Sequence, residues 1–209
     1  MTEIKDLPVQ EFLDQLAAKQ ATPGGGSAAA LMGAQAAALV SMVCRLTLGK
    51  PKYAAVEAQI QALLDEAEAL RFSLTAMIKA DVDVFDALMQ CYSLPKSTDA
   101  EKAERNRQIQ VVLRDATQVP LDCAQACAKA VSLSRSAAEH GSLAVISDAG
   151  VAAMSGYAAL KSAALNVYIN AAGLKDREFA EAKLAELHEI LNGKDAEVEA
   201  VYQLVKSKL

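Results

Sequence analysis

From Ser27 to about Leu48 the chain is almost wholly Ala, Leu, Met and Val, with Gly24-Gly25-Gly26 ahead of it and Gly49 and Pro51 behind it. Strands favour β-branched and aromatic side chains. A run of this length that is apolar around most of its circumference is instead a helix buried on most sides. Such a helix needs other helices around it, and alanine lets their backbones approach closely. Only 4% of the 209 residues are aromatic although 53% are hydrophobic, and Trp is absent. The expected fold is therefore all-α, a bundle of long Ala-rich helices. No repeat, low-complexity stretch or long linker divides it, so residues 1–209 are expected to form a single domain.

The other segments also carry a helical period. A first helix starts near Pro8, with Val9, Phe12, Leu13 and Leu16, and ends before Thr22-Pro23. A long third helix runs from about Ala54 to Tyr92 on a stripe of Ile60, Leu63, Leu64, Ala67, Leu70, Leu74, Met77, Ile78, Phe85 and Leu88. Leu94-Pro95-Lys96 ends it, and Thr98 to Glu101 has the form of a capping box that starts the fourth. Pro120 should bend or divide that helix, because it cannot donate the interior hydrogen bond. Ser147 or Asp148 should cap a fifth helix reaching about Ala172. Asp176 should cap a sixth ending at Asn192-Gly193, and a short last helix carries Val198, Val201, Tyr202 and Val205.

The net charge of −5 argues against nucleic acid as a partner. No basic leader with an apolar run is present, and no stretch reaches about 18 consecutive apolar residues. A soluble, cytoplasmic protein with no membrane partner is expected. Cys44, Cys91, Cys123 and Cys127 read as small buried residues, since a chain with this much core needs no disulfides. Cys123 and Cys127 share a helical face, but His140 and His188 have no spacing to them that would make a metal site.

Polar residues on apolar faces mark three places where function is expected. Asp81 continues the inner stripe of the third helix, whereas Asp83 and Asp86 point to solvent; a buried carboxylate is costly unless paired or used. On the fifth helix Asp148 and Asn166 lie five turns apart on one azimuth, with Ser155, Ser162 and Asn170 close to the same line. This file can bind a heterocycle or a partner helix. Third, Gly24, Gly25, Gly26 and Ser27 open a buried helix whose free N–H groups favour an anion or the polar edge of a ligand. Their alternative reading is a tight turn needing positive φ. Lys50, Lys52 and Lys96 flank these places.

Taken in order, these segments resemble one family. Thr22-Pro-Gly-Gly-Gly-Ser-Ala-Ala, Leu46-Thr-Leu-Gly-Lys-Pro-Lys-Tyr53, Leu94-Pro-Lys96, Arg105 to Gln110, Val119-Pro-Leu121, Ile146-Ser-Asp-Ala-Gly-Val-Ala152 and Asn166-Val-Tyr-Ile-Asn170 look like the cyclodeaminase/cyclohydrolase family. That family includes the C-terminal half of formiminotransferase-cyclodeaminase. Leu39 to Cys44 and Ser162 to Tyr168 resemble its free-standing methenyltetrahydrofolate cyclohydrolases from one-carbon-assimilating bacteria. At His140-Gly141-Ser142 the chain departs from the Gly-Asn of the pattern, so no role carries over to Ser142.

The resemblance implies a helical homodimer with a folate site, and reversible hydrolysis of 5,10-methenyltetrahydrofolate to 10-formyltetrahydrofolate. Cyclodeamination of formiminotetrahydrofolate is the alternative within the family, and a non-catalytic helical binding protein the alternative outside it. For hydrolysis, Asp81 is the first candidate base and Asp148 the second. Lys50 or Lys96 would contact the adduct or orient water, and Asn166 and Asn170 would read the pterin's amide edge. Tyr53 joins the substrate contacts, and the glutamate tail would meet Lys52 or the helix start at Ser27. The tetrahydrofolate is substrate, and no metal or redox cofactor is expected.

Overall fold

Each helical period becomes a helix in a computed structural model that describes residues 3–209. The α-helices are α1 (Val9–Ala17), α2 (Gly25–Arg45), α3 (Glu57–Ser93), α4 (Asp99–His140), α5 (Ile146–Gly173), α6 (Arg177–Leu191) and α7 (Lys194–Lys208). Short 3-10 turns lie at Ile4–Asp6, Pro51–Val56 and Leu143–Val145, and the described residues contain no strand. The start of α4 is a true capping box. Thr98 accepts from the Glu101 N–H at 3.2 Å, and the Glu101 carboxylate accepts from the Thr98 N–H at 2.8 Å. Such a cap is worth about 1 kcal/mol. Asp176 caps α6 by accepting from the Phe179 N–H at 3.0 Å.

α2 packs against α3, α4 and α5, and α5 packs also against α6 and α7. These two helices run antiparallel: Lys50, just past the end of α2, meets Ser142, just before α5. Farther along, the Ser155 hydroxyl of α5 donates to the Met32 carbonyl of α2 at 2.9 Å. Backbones come close where side chains are small. At Gly33 of α2 an added Cβ would lie 2.7 Å from the Cys127 Sγ of α4. Ile60, Leu74, Leu121, Ile146, Leu160 and Leu187 are fully buried in this core, each contributing about 1.5–3 kcal/mol. All four cysteines are free and buried. By length and composition α2 and α5 are apolar enough to cross a membrane, and here they form the centre of the bundle.

Three local expectations are corrected. First, α4 runs unbroken from Asp99 to His140 through Pro120. The proline leaves the Ala116 carbonyl without its helical donor, and the Asn170 Nδ2 of α5 supplies the replacement. A tertiary hydrogen bond thus stabilises what would otherwise be a break. Second, neither Ser147 nor Asp148 caps α5. The helix begins at Ile146, led in by the Leu143–Val145 turn, with Val145 at the cap position. Asp148 sits in the first turn, where the helix dipole still favours a carboxylate. Third, α2 starts at Gly25, and Gly24 at its cap is extended (φ −128). Positive φ occurs only at Gly49 and Gly193 among the described residues, so the three glycines are not a left-handed turn. α1 lies within its expected bounds, ending at Ala17, and only its Phe12 is buried; Val9 and Leu13 face solvent.

Candidate active site

The residues singled out from the sequence gather at two ends of the molecule. At one end, Asp81 of α3 lies against the first turn of α2. Gly26 makes this possible, because a Cβ there would stand 2.0 Å from the Asp81 Oδ1. The fully buried Ser27 donates its hydroxyl to the Asp81 Oδ2 at 2.7 Å. Burial pushes the Asp81 carboxyl above its ordinary pKa, and the Ser27 hydroxyl and backbone N–H pull it part of the way back. No cation among the described residues contributes. The interhelical salt bridge that would make Asp81 purely structural is therefore absent from them. Asp83 and Asp86 face solvent as expected, Asp83 paired with Lys79.

This arrangement changes the meaning of the helix start. The free N–H groups of α2 were expected to take an anion, and one of them, the Ser27 N–H, faces the protein's own Asp81 carboxylate. Gly26, Ala30, Met77, Asp81, Pro120 and Cys123 line a small recess beside it, with room for about one water molecule. Asn166 and Asn170 belong to this end, on the part of α5 that includes Ala163 of the recess wall. The polar file on α5 is largely satisfied by backbone. Ser162 donates to the Ala158 carbonyl at 2.8 Å, Asn166 to the Ser162 carbonyl at 2.9 Å, and Asn170 to Ala116.

At the other end, the Lys50 Nζ lies 3.1 Å from the Ser142 Oγ. The Ser142 N–H donates to the Thr47 Oγ1 at 2.8 Å, and the Leu143 N–H donates to the Tyr53 hydroxyl oxygen at 3.0 Å. Lys52 stands 5.6 Å from the centre of the Tyr53 ring. The Leu143 N–H, aided by the Ser142 hydroxyl and the two lysine charges, draws the Tyr53 phenol below its ordinary pKa. Asp148, half-buried in the first turn of α5, belongs to this end. Ser142 and Thr47, both buried, were not foreseen as members of this group. Their one signal was position, a hydroxyl just after the Gly141 break and another at the polar end of an apolar helix.

Lys96 joins neither group. It is exposed in the α3–α4 turn, beyond a stretch of α3 that extends about 18 Å past Asp81. The two groups themselves are separated by α2, which is about 30 Å long. Among the described residues no three His, Cys, Asp or Glu gather as a metal would require.

An antiparallel helical bundle with a glycine-bounded, serine-held carboxylate at one end of α2 and a Lys-Tyr-Ser group at the other is the setting in which the family motifs fall. The chain belongs to the formiminotransferase-cyclodeaminase family, whose profile matches residues 8–189. It is 55% identical over 201 residues to the methenyltetrahydrofolate cyclohydrolase of Methylorubrum extorquens, 96% of this chain and 97% of that one. It is 33% identical over 176 residues to the formimidoyltransferase-cyclodeaminase of Rattus norvegicus, 84% of this chain but 32% of that longer protein. Its fold matches the crystal structure of formiminotetrahydrofolate cyclodeaminase from Thermotoga maritima with a TM-score of 0.83 at 31% identity, covering 99% of this chain and 98% of that one.

Proposed function

We propose that the protein hydrolyses 5,10-methenyltetrahydrofolate to 10-formyltetrahydrofolate, reversibly. The observation that carries this reading is the 55% identity, over nearly the whole of both chains, to a protein named for that reaction. The site chemistry suits it. The bridge carbon of the substrate is the centre of an amidinium-like cation. Water adds its oxygen there and gives up a proton; the bond from that carbon to N5 then breaks, N5 takes a proton and the formyl group stays on N10. Asp81 is the base we assign, since a carboxylate with no cation beside it favours the substrate's cation, and its raised pKa makes it a better proton acceptor than an ordinary carboxylate. Asp148 is the second candidate. Within one chain Lys50, held against Ser142, and Tyr53 stand at the far end of α2 from Asp81, so in this reading the second protomer of the homodimer brings them to the oxygen of the adduct. Asn166 and Asn170 offer side-chain oxygens to the pterin edge, while Gly26 and Ser27 form the wall against Asp81 and Gly24 and Gly25 lead into it. Lys96, exposed and distant, has no role in this reading. No metal or redox cofactor enters, because the carbon is already electrophilic. A cytoplasmic homodimer completes the proposal, with no nucleic-acid or membrane partner.

Supplying 5,10-methenyltetrahydrofolate and formiminotetrahydrofolate separately tests it. The expected result is rapid loss of the methenyl compound and little ammonia from the formimino compound. Faster ammonia release than hydrolysis would make the protein a cyclodeaminase, and turnover of neither would leave a binding protein.

The lysine end gives a second test. With a net charge of −5, an anionic glutamate tail is drawn in by local cations. Lys52→Ala is expected to weaken binding several-fold, and more for longer polyglutamates. Equal affinity for mono- and polyglutamates in the variant and the parent would remove Lys52 from the tail site.

A further inference from the structure

Val119 and Pro120 form the α4 wall of the recess beside Asp81. One turn earlier, the Ala116 carbonyl has lost its helical donor to the proline. Ala116 is only 3% exposed, and a buried carbonyl without a donor is costly. The Asn170 Nδ2 supplies the donor from α5.

An alanine at position 120 would close this hydrogen bond within α4 and need nothing from α5. The fold instead keeps a ring with a fixed φ and no N–H, at the wall of a recess that has room for about one water molecule. The place of that wall is therefore set from outside its own helix. Two more ties join this part of α4 to the end of α5 and the start of α6. Gln110 donates to the Gly173 carbonyl at 3.0 Å and accepts from the Lys175 N–H at 2.7 Å, and Arg114 pairs with Asp176. Both are exposed and lie farther from the recess. Asn170 is the half-buried inner tie, nearest the proline. Asn166, one turn back on the same face of α5, gives the contrast. Its Nδ2 donates to the Ser162 carbonyl of its own helix at 2.9 Å, and so fastens nothing to α4.

We infer that Asn170 is a positioning residue for the reaction: by holding the Ala116 carbonyl it fixes the Val119–Pro120 wall against the Asp81 carboxylate. This rests on the assignment of Asp81 to the chemistry. Without the bond, the turn from Ala116 to Pro120 must open to bring water to the carbonyl. The wall then draws back and the recess widens around Asp81.

Asn170→Ala, made with and without Pro120→Ala, tests it through two readouts. One is kcat. The other needs no turnover: the rate at which methyl methanethiosulfonate labels Cys123, a recess-lining thiol that is 4% exposed. Peptide masses separate its label from those of Cys44, Cys91 and Cys127. With Pro120 in place, Asn170→Ala is expected to lower kcat between about tenfold and a hundredfold and to speed Cys123 labelling by about tenfold. In Pro120→Ala the restored N–H serves the Ala116 carbonyl, so adding Asn170→Ala should change either readout by less than about twofold. The pterin contact of Asn170 is a separate contribution, seen as weaker folate binding in both backgrounds. Equal losses of kcat in the two backgrounds, or Cys123 labelling that Asn170→Ala leaves unchanged beside Pro120, would overturn the inference. Labelling that follows the expected pattern while kcat stays at the parent's value would overturn the assignment of Asp81 with it. If Asn170→Ala does not fold, the double variant decides: it is expected to fold, and its failure to do so overturns the inference.

Discussion

Asp81→Asn is expected to lower turnover on the order of a hundredfold or more while leaving the protein folded and, at neutral pH, at least as stable as the parent. The two effects have one cause. Burial raises the Asp81 pKa, so the fold prefers the protonated carboxyl. Its contribution to stability is complete below the ordinary carboxylate value of 3.8 and is lost as pH rises through the raised value. Above that window the ionised group is a load on the fold. Asparagine keeps the shape and an oxygen that accepts from the Ser27 hydroxyl, but it carries no charge. Thermal melts from about pH 4 to 8 should show the parent losing ground to the variant as pH rises through that window. The rate should follow the opposite limb: kcat/KM of the parent rises as Asp81 ionises, and this limb disappears in the variant. Asp83→Asn is the control, since its exposed pairing with Lys79 is worth ~1 kcal/mol or less. Normal turnover in Asp81→Asn would make Asp81 a structural partner of Ser27. A lower melting temperature at neutral pH would mean that its charge is compensated in the native state.

The helices and the inward aim of Asp81 were legible in the sequence because periodicity reports azimuth. The stripe from Ile60 to Leu88 is buried much as the pattern implies, and Asp81 falls on it while Asp83 and Asp86 do not. Azimuth says nothing about which ends of helices meet. Hence the division of the candidate residues between two ends of α2 was invisible, as was the isolation of Lys96. That Pro120 would not divide its helix was hidden for a related reason. Its helix survives through a donor, Asn170, that lies far away in sequence. The exposure of Val151, Met154, Leu165 and Ile169 along one stripe of α5 was hidden by lack of contrast, since an Ala-rich helix is apolar on the faces it buries and on those it does not. The glycines before Ser27 were noticed as a helix start open to an anion, with a left-handed turn as the alternative that the φ values do not support. Their sequence cannot show that a carboxylate from another helix needs the space.

Gly26→Ala makes that last point measurable. A Cβ at position 26 would stand 2.0 Å from Oδ1, 2.6 Å from Cγ and 2.9 Å from Oδ2 of Asp81. The carboxylate is the free end of a rotatable side chain, so it can swing away at little cost in stability, but it then leaves Ser27 and the recess. Alanine favours the helix over glycine by up to ~1 kcal/mol, which offsets the disturbance. The expected result is a folded protein with nearly unchanged melting temperature that loses between about tenfold and a hundredfold in turnover, the loss typical of a misplaced catalytic group. Gly25→Ala is the matched control. A Cβ there meets nothing within 4 Å, and Gly25 has no positive φ, so turnover should be unchanged. Substituting even a β-branched residue there meets no left-handed strain. A double variant, Gly26→Ala with Asp81→Asn, separates mechanism from general damage. If Gly26 acts only by making room for Asp81, the double variant should be no slower than Asp81→Asn alone, the non-additivity of residues that work as a unit. Wild-type turnover in Gly26→Ala would show that the placement of this carboxylate is immaterial, and additive losses would show that Gly26 serves the substrate by some other contact.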